Sequence, residues 1–301
     1  MSPLGLAWSW KRLVLFGLPL VSWGQLTTLT PTNSVSLSYV PVGVAAMGEQ
    51  VVVAANGANN NYTTSLSPVP TGYANTNNVV DLGRRADGVS NIELNSGGEV
   101  KLYPGIDITS QTQVNLRSLA GSSSEWGVSN SFLVGGIEYA YVGYTAASTY
   151  AVGLVNLTAN SFSSLFTFTP PHTPTGMGNY TLLGGSSLDD QRVLVSFSNN
   201  TVLEFGTSGT QTGNYFWFNL GGSLQDITYS NGKLFGVTDD LTLASVNFTP
   251  AAIPEPSTYA FLAGLASWVA VIAVRRQQRR GYGVCLLHVN ISRRSGEGIN
   301  G

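Results

Sequence analysis

Cysteine is almost absent: Cys285 is the only one in 301 residues. That excludes a disulfide framework and any zinc or iron–sulfur site built on several thiolates. Histidine is nearly as scarce, with only His172 and His288, so a histidine-rich metal site is excluded too. Lysine occurs three times, as Lys11, Lys101 and Lys233, and charged residues make up 10% of the chain, against roughly 25% in an ordinary soluble domain. A nucleic-acid interface, which needs a basic face, cannot be assembled from this inventory. High-charge disorder is excluded as well, because 43% of residues are hydrophobic. Neither a Gly-x-x-x-x-Gly-Lys phosphate loop nor a Gly-x-Ser-x-Gly elbow is present.

The charge that is present is unevenly placed. The net charge is −2, yet Lys11 and Arg12 lie near one end, and Arg275, Arg276, Arg279, Arg280, Arg293 and Arg294 near the other. Between Gln25 and Ile253, six basic residues face fourteen acidic ones, a formal charge of −8. An acidic middle stays soluble and avoids anionic polymers.

The basic ends adjoin apolar runs. Lys11 and Arg12 precede Leu13–Val21, nine apolar residues, and Ser22-Trp23-Gly24 then places small residues at −3 and −1 before Gln25. Charge, short apolar core and small-x-small is the order of a secretory signal peptide, predicted over residues 1–24. Pro19 would disrupt a buried helix there. Near the other end, Pro254-Glu255-Pro256 forms an extended spacer. Tyr259–Val274 follows, sixteen residues without a charge. At about 1.5 Å per residue, that run predicts a short membrane helix of about 24 Å. Arg275, Arg276, Arg279 and Arg280 come next and predict that this flank stays on the cytoplasmic side.

The order Pro254-Glu255-Pro256-Ser257, apolar span, arginine cluster resembles the PEP-CTERM sorting domain of bacterial exported proteins, over residues 253–280. The resemblance implies recognition and processing by an exosortase-type membrane enzyme, with Pro254, Glu255 and Pro256 as the sorting motif. It also implies a Gram-negative host, often one making exopolysaccharide and biofilm. The chain departs from that pattern by continuing through a predicted cytoplasmic extension, residues 281–301. A plain single-span anchor would need no such proline motif. A removable lipid-anchor signal should not be followed by four arginines.

Residues 25–250 carry an all-β pattern. Short apolar or alternating runs rich in Val, Tyr, Phe and Thr recur at 50–55, 99–103, 137–144, 150–157, 193–197, 201–205, 215–220, 233–237 and 241–248. Turn residues separate them, among them Asn56-Gly57, Ser198-Asn199-Asn200 and Ser230-Asn231-Gly232. Segments starting at Gly43, Gly127, Leu182 and Leu224 share a strand–turn–strand rhythm. That predicts a propeller of repeated antiparallel sheets, about five blades of roughly 40 residues, with a β-sandwich as the alternative. Helix is expected only in the two terminal segments.

Candidate chemistry in this domain is thin. His172, in Pro170-Pro171-His172-Thr173-Pro174, is the imidazole a serine triad would need. In a proline-rich loop it is more often a solvated surface group. Hydrolysis by paired carboxylates would draw on Glu93, Glu99, Glu125, Glu138 or Glu204, and Glu138 reads as a solvent-face strand residue. Asp189-Asp190 and Asp239-Asp240 could contribute to calcium loops, though aspartate is a favoured turn residue in any case. Tyr139, Tyr141, Tyr144, Tyr150, Phe216, Trp217 and Phe218 could stack on sugar rings, but such residues more often form core. The Asn-x-Ser/Thr triplets at Asn61, Asn156, Asn179, Asn199 and Asn247 read as turn composition. No catalytic residue, metal or cofactor is assigned. The expectation is an exported surface or extracellular-matrix protein. It would be membrane-anchored until processed, and its β domain would serve adhesion, matrix structure or exopolysaccharide contact. The alternative is a secreted carbohydrate-active hydrolase using two carboxylates.

Overall fold

The computed structural model describes residues 26–55, 58–69, 78–103 and 111–250, together with Trp268 and Ile272. The predicted signal peptide, the sorting motif, the arginine cluster and the rest of the predicted membrane helix lie outside the described residues. Trp268 and Ile272 are both helical. No helix of the described residues is long and apolar enough to cross a membrane.

The described chain is a five-bladed β-propeller. Two strands come first, β1 (Leu26–Leu29) and β2 (Asn33–Ser36). Blade 1 is β3 (Gly43–Met47), β4 (Gln50–Ala55), β5 (Ala58–Thr63) and β6 (Pro68–Val69). Blade 2 is β7 (Val79–Arg84), β8 (Asn91–Asn95), β9 (Glu99–Tyr103) and β10 (Gln111–Asn115). Blade 3 is β11 (Ser122–Val128), β12 (Phe132–Val134), β13 (Ile137–Ala146), β14 (Thr149–Asn156) and β15 (Ser161–Phe168). Blade 4 is β16 (Pro174–Thr181), β17 (Gln191–Phe197), β18 (Thr201–Gly206) and β19 (Gln211–Phe218). Blade 5 is β20 (Leu224–Ser230), β21 (Lys233–Thr238) and β22 (Thr242–Asn247).

The first strands of the blades, β3, β7, β11, β16 and β20, stand side by side in that order, and β20 meets β3 to close the ring. The N-terminal strands close it from outside. β1 adds in parallel to β19, and β2 adds antiparallel to β22, so one short segment supplies the outermost strands of blades 4 and 5. β19 and β22 are thereby paired on both sides, and the open edges pass to two strands of only four residues each, a short edge being the smaller hazard. Leu29 and Leu37, at either end of this segment, are buried in the cores on either side of blade 5.

Five apolar clusters fill the five gaps between neighbouring blades. The alternation of the strands explains them, since each blade presents one face to each neighbour. The gap between blades 1 and 2 is the smallest core and is built of Ala45, Val52, Ala54, Val79 and Leu82. The gap between blades 3 and 4 is aromatic, with Trp126, Phe132, Tyr141, Phe166, Phe197 and Phe205 among its buried side chains.

All nine runs expected from the sequence are strands, with ends moved by a few residues. All nine are second, third or fourth strands of their blades. Two short helices were not expected, α1 (Leu116–Ala120) and a 3-10 turn at Leu188–Asp190. Asn115 caps α1, its Oδ1 accepting from the Ser118 amide at 3.1 Å. The segment expected to begin at Leu182 is out of phase, because the first strand of blade 4 starts eight residues earlier, at Pro174.

Candidate functional site

The inner strands share one local pattern. Gly43-Val44, Asp81-Leu82, Gly127-Val128, Gly176-Met177 and Asp226-Ile227 each place a glycine or aspartate before a buried aliphatic or methionine. The small residues answer a steric demand. A Cβ on Gly43 would lie 2.6 Å from Asp81 Oδ1, on Gly127 2.9 Å from Met177 Cβ, and on Gly176 2.0 Å from Asp226 Oδ1. Each of these contacts is with the following blade, so these positions are where adjacent inner strands come closest. In four of the five strands, pairing slips by one residue just before this position. A bulge of that kind increases the local twist and interrupts the ladder.

The two aspartates resolve the backbone chemistry that results. Asp81 accepts the amide of Leu82 on Oδ1 and that of Val128 on Oδ2, both at 2.7 Å. Asp226 accepts Val44 on Oδ2 at 2.6 Å, and Met177 and Ile227 on Oδ1 at 3.1 and 2.6 Å. One amide from each of the five blades therefore ends on one of two carboxyl groups. Both aspartates are fully buried, and they are hydrogen-bonded to each other. Burial pushes both above the ordinary carboxylate value, and the neighbouring carboxylate raises Asp81 further. Asp226 is pushed up to about 7, held there against the lowering effect of Asp81 and of its three amide donors. Two carboxyls hydrogen-bonded to each other share a proton rather than ionise together.

Nearer the far end of the inner strands, Asn130 makes a second crossing. Its Nδ2 donates to Ala46 O at 2.6 Å and Thr228 Oγ1 at 3.0 Å, and its Oδ1 accepts the Arg84 amide at 2.9 Å. Blades 1, 2, 3 and 5 meet on that one side chain. Protein groups thus bridge the inner strands at two levels. Converging N–H donors suit carboxyl oxygens and repel a cation, so this arrangement is a tie between blades rather than a metal seat. Among the described residues, no three His, Cys, Asp or Glu side chains come together.

A glycine substitution tests the steric reading. Gly176→Ala should cost at least about 3 kcal/mol, because its methyl meets both the Asp226 carboxyl and its Cα. Gly206→Ala, whose nearest new neighbour is Thr210 O at 3.8 Å, should stay within about 0.5 kcal/mol. Urea unfolding curves of the two variants make the comparison.

The carboxylates singled out in the sequence are dispersed. Glu93 and Glu99 lie on blade 2, Glu125 and Glu138 on blade 3, and Glu204 on blade 4. Glu138 is buried rather than on a solvent face, and Arg85 is the reason: its guanidinium donates to both carboxylate oxygens. Burial alone would raise Glu138, but the bonds from Arg85 and Ser131 outweigh it and hold the carboxyl below its usual value. Glu204 is enclosed by Tyr180, Thr212 and Asn214. The paired aspartates organise turns. Asp190 accepts from the Ser186 and Ser187 amides at 2.9 Å, and Asp239 from the Ser223 amide at 2.7 Å. Asn156 and Asn199 also brace turns, whereas Asn61 and Asn179 are buried within strands, contrary to their reading as turn residues.

Of the aromatic candidates, Tyr141, Tyr144, Phe216 and Phe218 are core, while Trp217 keeps 37% of its surface. Tyr150 is half-buried and lines a cleft of about 490 Å³ on blade 3, together with Phe168, Pro170 and His172. The β13–β14 turn and the loop leading to blade 4 form its walls.

No protein-family model matches the chain, and no curated protein does. Among solved structures, a chain of a nidogen/laminin complex is similar, with a TM-score of 0.45 and 9% identity, over 67% of this chain and 73% of that one. At that level the likeness says nothing of what this protein binds.

Proposed function

We propose that this protein is an exported bacterial surface or matrix protein whose β-propeller binds rather than turns over its ligand. It is sorted and processed at the PEP-CTERM-like segment by an exosortase-type enzyme. The observation that carries the sorting half is the order Pro254-Glu255-Pro256, uncharged Tyr259–Val274, then Arg275, Arg276, Arg279 and Arg280. A membrane-held intermediate with its propeller outside follows from that order. The binding half draws support from where the acids lie. Asp81 and Asp226 meet on the axis, fully buried, with their oxygens occupied by backbone amides. Hydrolysis of a glycoside needs two carboxyls facing an accessible cleft, some 5–10 Å apart. Among the described residues, no Asp or Glu lines the blade 3 cleft. Cleavage of the predicted signal peptide after Gly24 would leave Leu26, the first residue of β1, almost at the new N-terminus, free to be laid across blades 4 and 5.

Intact-mass measurement of the cell-associated protein tests the sorting half. The expected species starts near Gln25 and ends near the proline motif. A species retaining both Met1 and Gly301 would overturn it.

A further inference from the structure

The blade 3 cleft carries polar groups that the fold does not use. Ser148, Thr149, Thr169 and Thr173 line it, and His172 stands beside them. All five are exposed, and none of their side chains makes a hydrogen bond to a described residue. In the corresponding loops of blade 4 some polar side chains bond within the fold, while those of exposed Ser198 and Asn219 bond to no described residue. Asn199 accepts from Thr201, Asn200 donates to Leu220 O and Gly222 O, and Ser223 donates to Ser198 O. Four such hydroxyls gather at this one cleft.

The turn that presents two of them is held in an unusual backbone state. Ala147 and Ser148 have φ of 48° and 64°. Both central residues of a tight hairpin turn must take positive φ, and Asn-Gly is the pair that does so cheaply. Alanine and serine do not, and such strain collects where it serves a function. Beneath the hydroxyls lies an aromatic floor. Tyr150 and Phe168 both line the cleft, with ring centroids 6.3 Å apart. Buried Trp126 meets Phe168 edge-on at 5.9 Å, and Phe205 lies at 5.4 Å, so the Phe168 ring is fixed from below.

We infer that this cleft binds a neutral oligosaccharide. Aromatic faces take the apolar C–H faces of sugar rings, while unsatisfied hydroxyls and an imidazole exchange hydrogen bonds with ring hydroxyls. Among the described residues, no Lys, Arg, Asp or Glu lines the cleft, so these offer no partner to a uronate or sulfate and no acid–base pair for hydrolysis. A cleft of this volume holds a few sugar units. The assignment deepens the binding half of the proposed function and rests on it, but not on the sorting half.

The test is isothermal titration of the full-length protein in a non-glycosidic detergent, with cellohexaose, laminarihexaose and maltohexaose as probes and hexagalacturonate as the charged comparison. The expected result is saturable binding of at least one neutral probe, with no shorter products formed. Tyr150→Leu, which keeps an apolar side chain beside Phe168, and His172→Ala, at an exposed position, should each weaken it at least about tenfold. Asp189→Ala, on the loop between β16 and β17, should leave it unchanged. Three outcomes each overturn the assignment: no neutral probe binding at about 10 mM to a protein that unfolds cooperatively, binding that survives both cleft substitutions, or equal binding of hexagalacturonate. Product formation would instead support the hydrolase alternative and overturn the binding half. The mass measurement above reads sorting separately, so a correctly processed protein that fails to bind overturns this cleft alone.

Discussion

Asp226→Ala should be the most damaging single substitution in the propeller, at about 4 kcal/mol or more. It removes the acceptor for Val44, Met177 and Ile227, and each buried amide left unpaired costs about 1–3 kcal/mol. Domains of this kind are stable by only about 5–15 kcal/mol, so the variant should be largely unfolded near its usual working temperature. Asp81→Ala strands two amides, those of Leu82 and Val128, and should cost less. Asp226→Asn should fall lower still, because its carbonyl can keep Met177 and Ile227 while its amide group faces the Val44 N–H. The exposed Asp189 serves as the reference, with Asp189→Ala expected within about 0.5 kcal/mol. Urea denaturation ranks the four. If Asp226→Ala were no worse than Asp189→Ala, the axial tie would be an incidental contact.

Raising the pH should loosen the same tie. Both carboxyls have folded-state values above their unfolded ones, so the folded protein binds more protons than the unfolded chain between them. The stability they contribute is fully present below about 4 and is lost as pH rises from there through about 7, the value to which Asp226 is raised. The slope approaches about 1.4 kcal/mol per pH unit for each proton taken up on folding. Other carboxyls act oppositely and at lower pH. Glu138, Asp87 and Glu99 are all lowered, so their contribution is present above the unfolded carboxylate value and fades in stronger acid. The two trends together place maximum stability near the meeting of the two windows, about pH 4–5. Denaturation midpoints across pH 3–8 should show that maximum. In Asp226→Asn the decline toward pH 7 should flatten, while the acid-side loss persists. A decline unchanged by that substitution would assign the pH dependence to other groups.

What the sequence made legible follows from where each strand sits. Outer and middle strands pack whole faces against neighbours, so they are rich in Val, Tyr and Phe; Val193–Phe197 and Leu241–Phe248 could be read directly. Inner strands lie where blades crowd together. Gly43, Gly83, Gly127 and Gly176 are there because a Cβ would collide with the next blade. Glycine, aspartate and asparagine are the residues that weaken a strand pattern, so β7, β11 and β16 carried little strand signal, whereas the repeat segments starting at Gly43 and Leu224 do open on the inner strands β3 and β20. The strand–turn–strand rhythm showed the repeat loosely, because the Gly/Asp-plus-apolar pairs that mark the inner strands recur at spacings too uneven for a sharp period. Asp81 and Asp226, separated by most of the chain, gave no local sign of meeting. Glu138 alternated like a surface residue, and only the position of Arg85, on the loop after β7, explains its burial. His172 was legible as a loop residue and Tyr150 as an aromatic candidate, but Phe168 lies on β15, outside every run read in the sequence, and only the fold brings the three to one cleft.

At the axis, Asp81 and Asp226 share a proton across a buried carboxyl pair. Carboxyl-carbon NMR titration of Asp81 and Asp226, assigned through Asp81→Asn and Asp226→Asn, reads that directly. Neither resonance should titrate near pH 4, and one should move near pH 7. Two ordinary midpoints near pH 4 would mean that both side chains reach solvent, and would contradict the closed axis on which the propeller's architecture is argued.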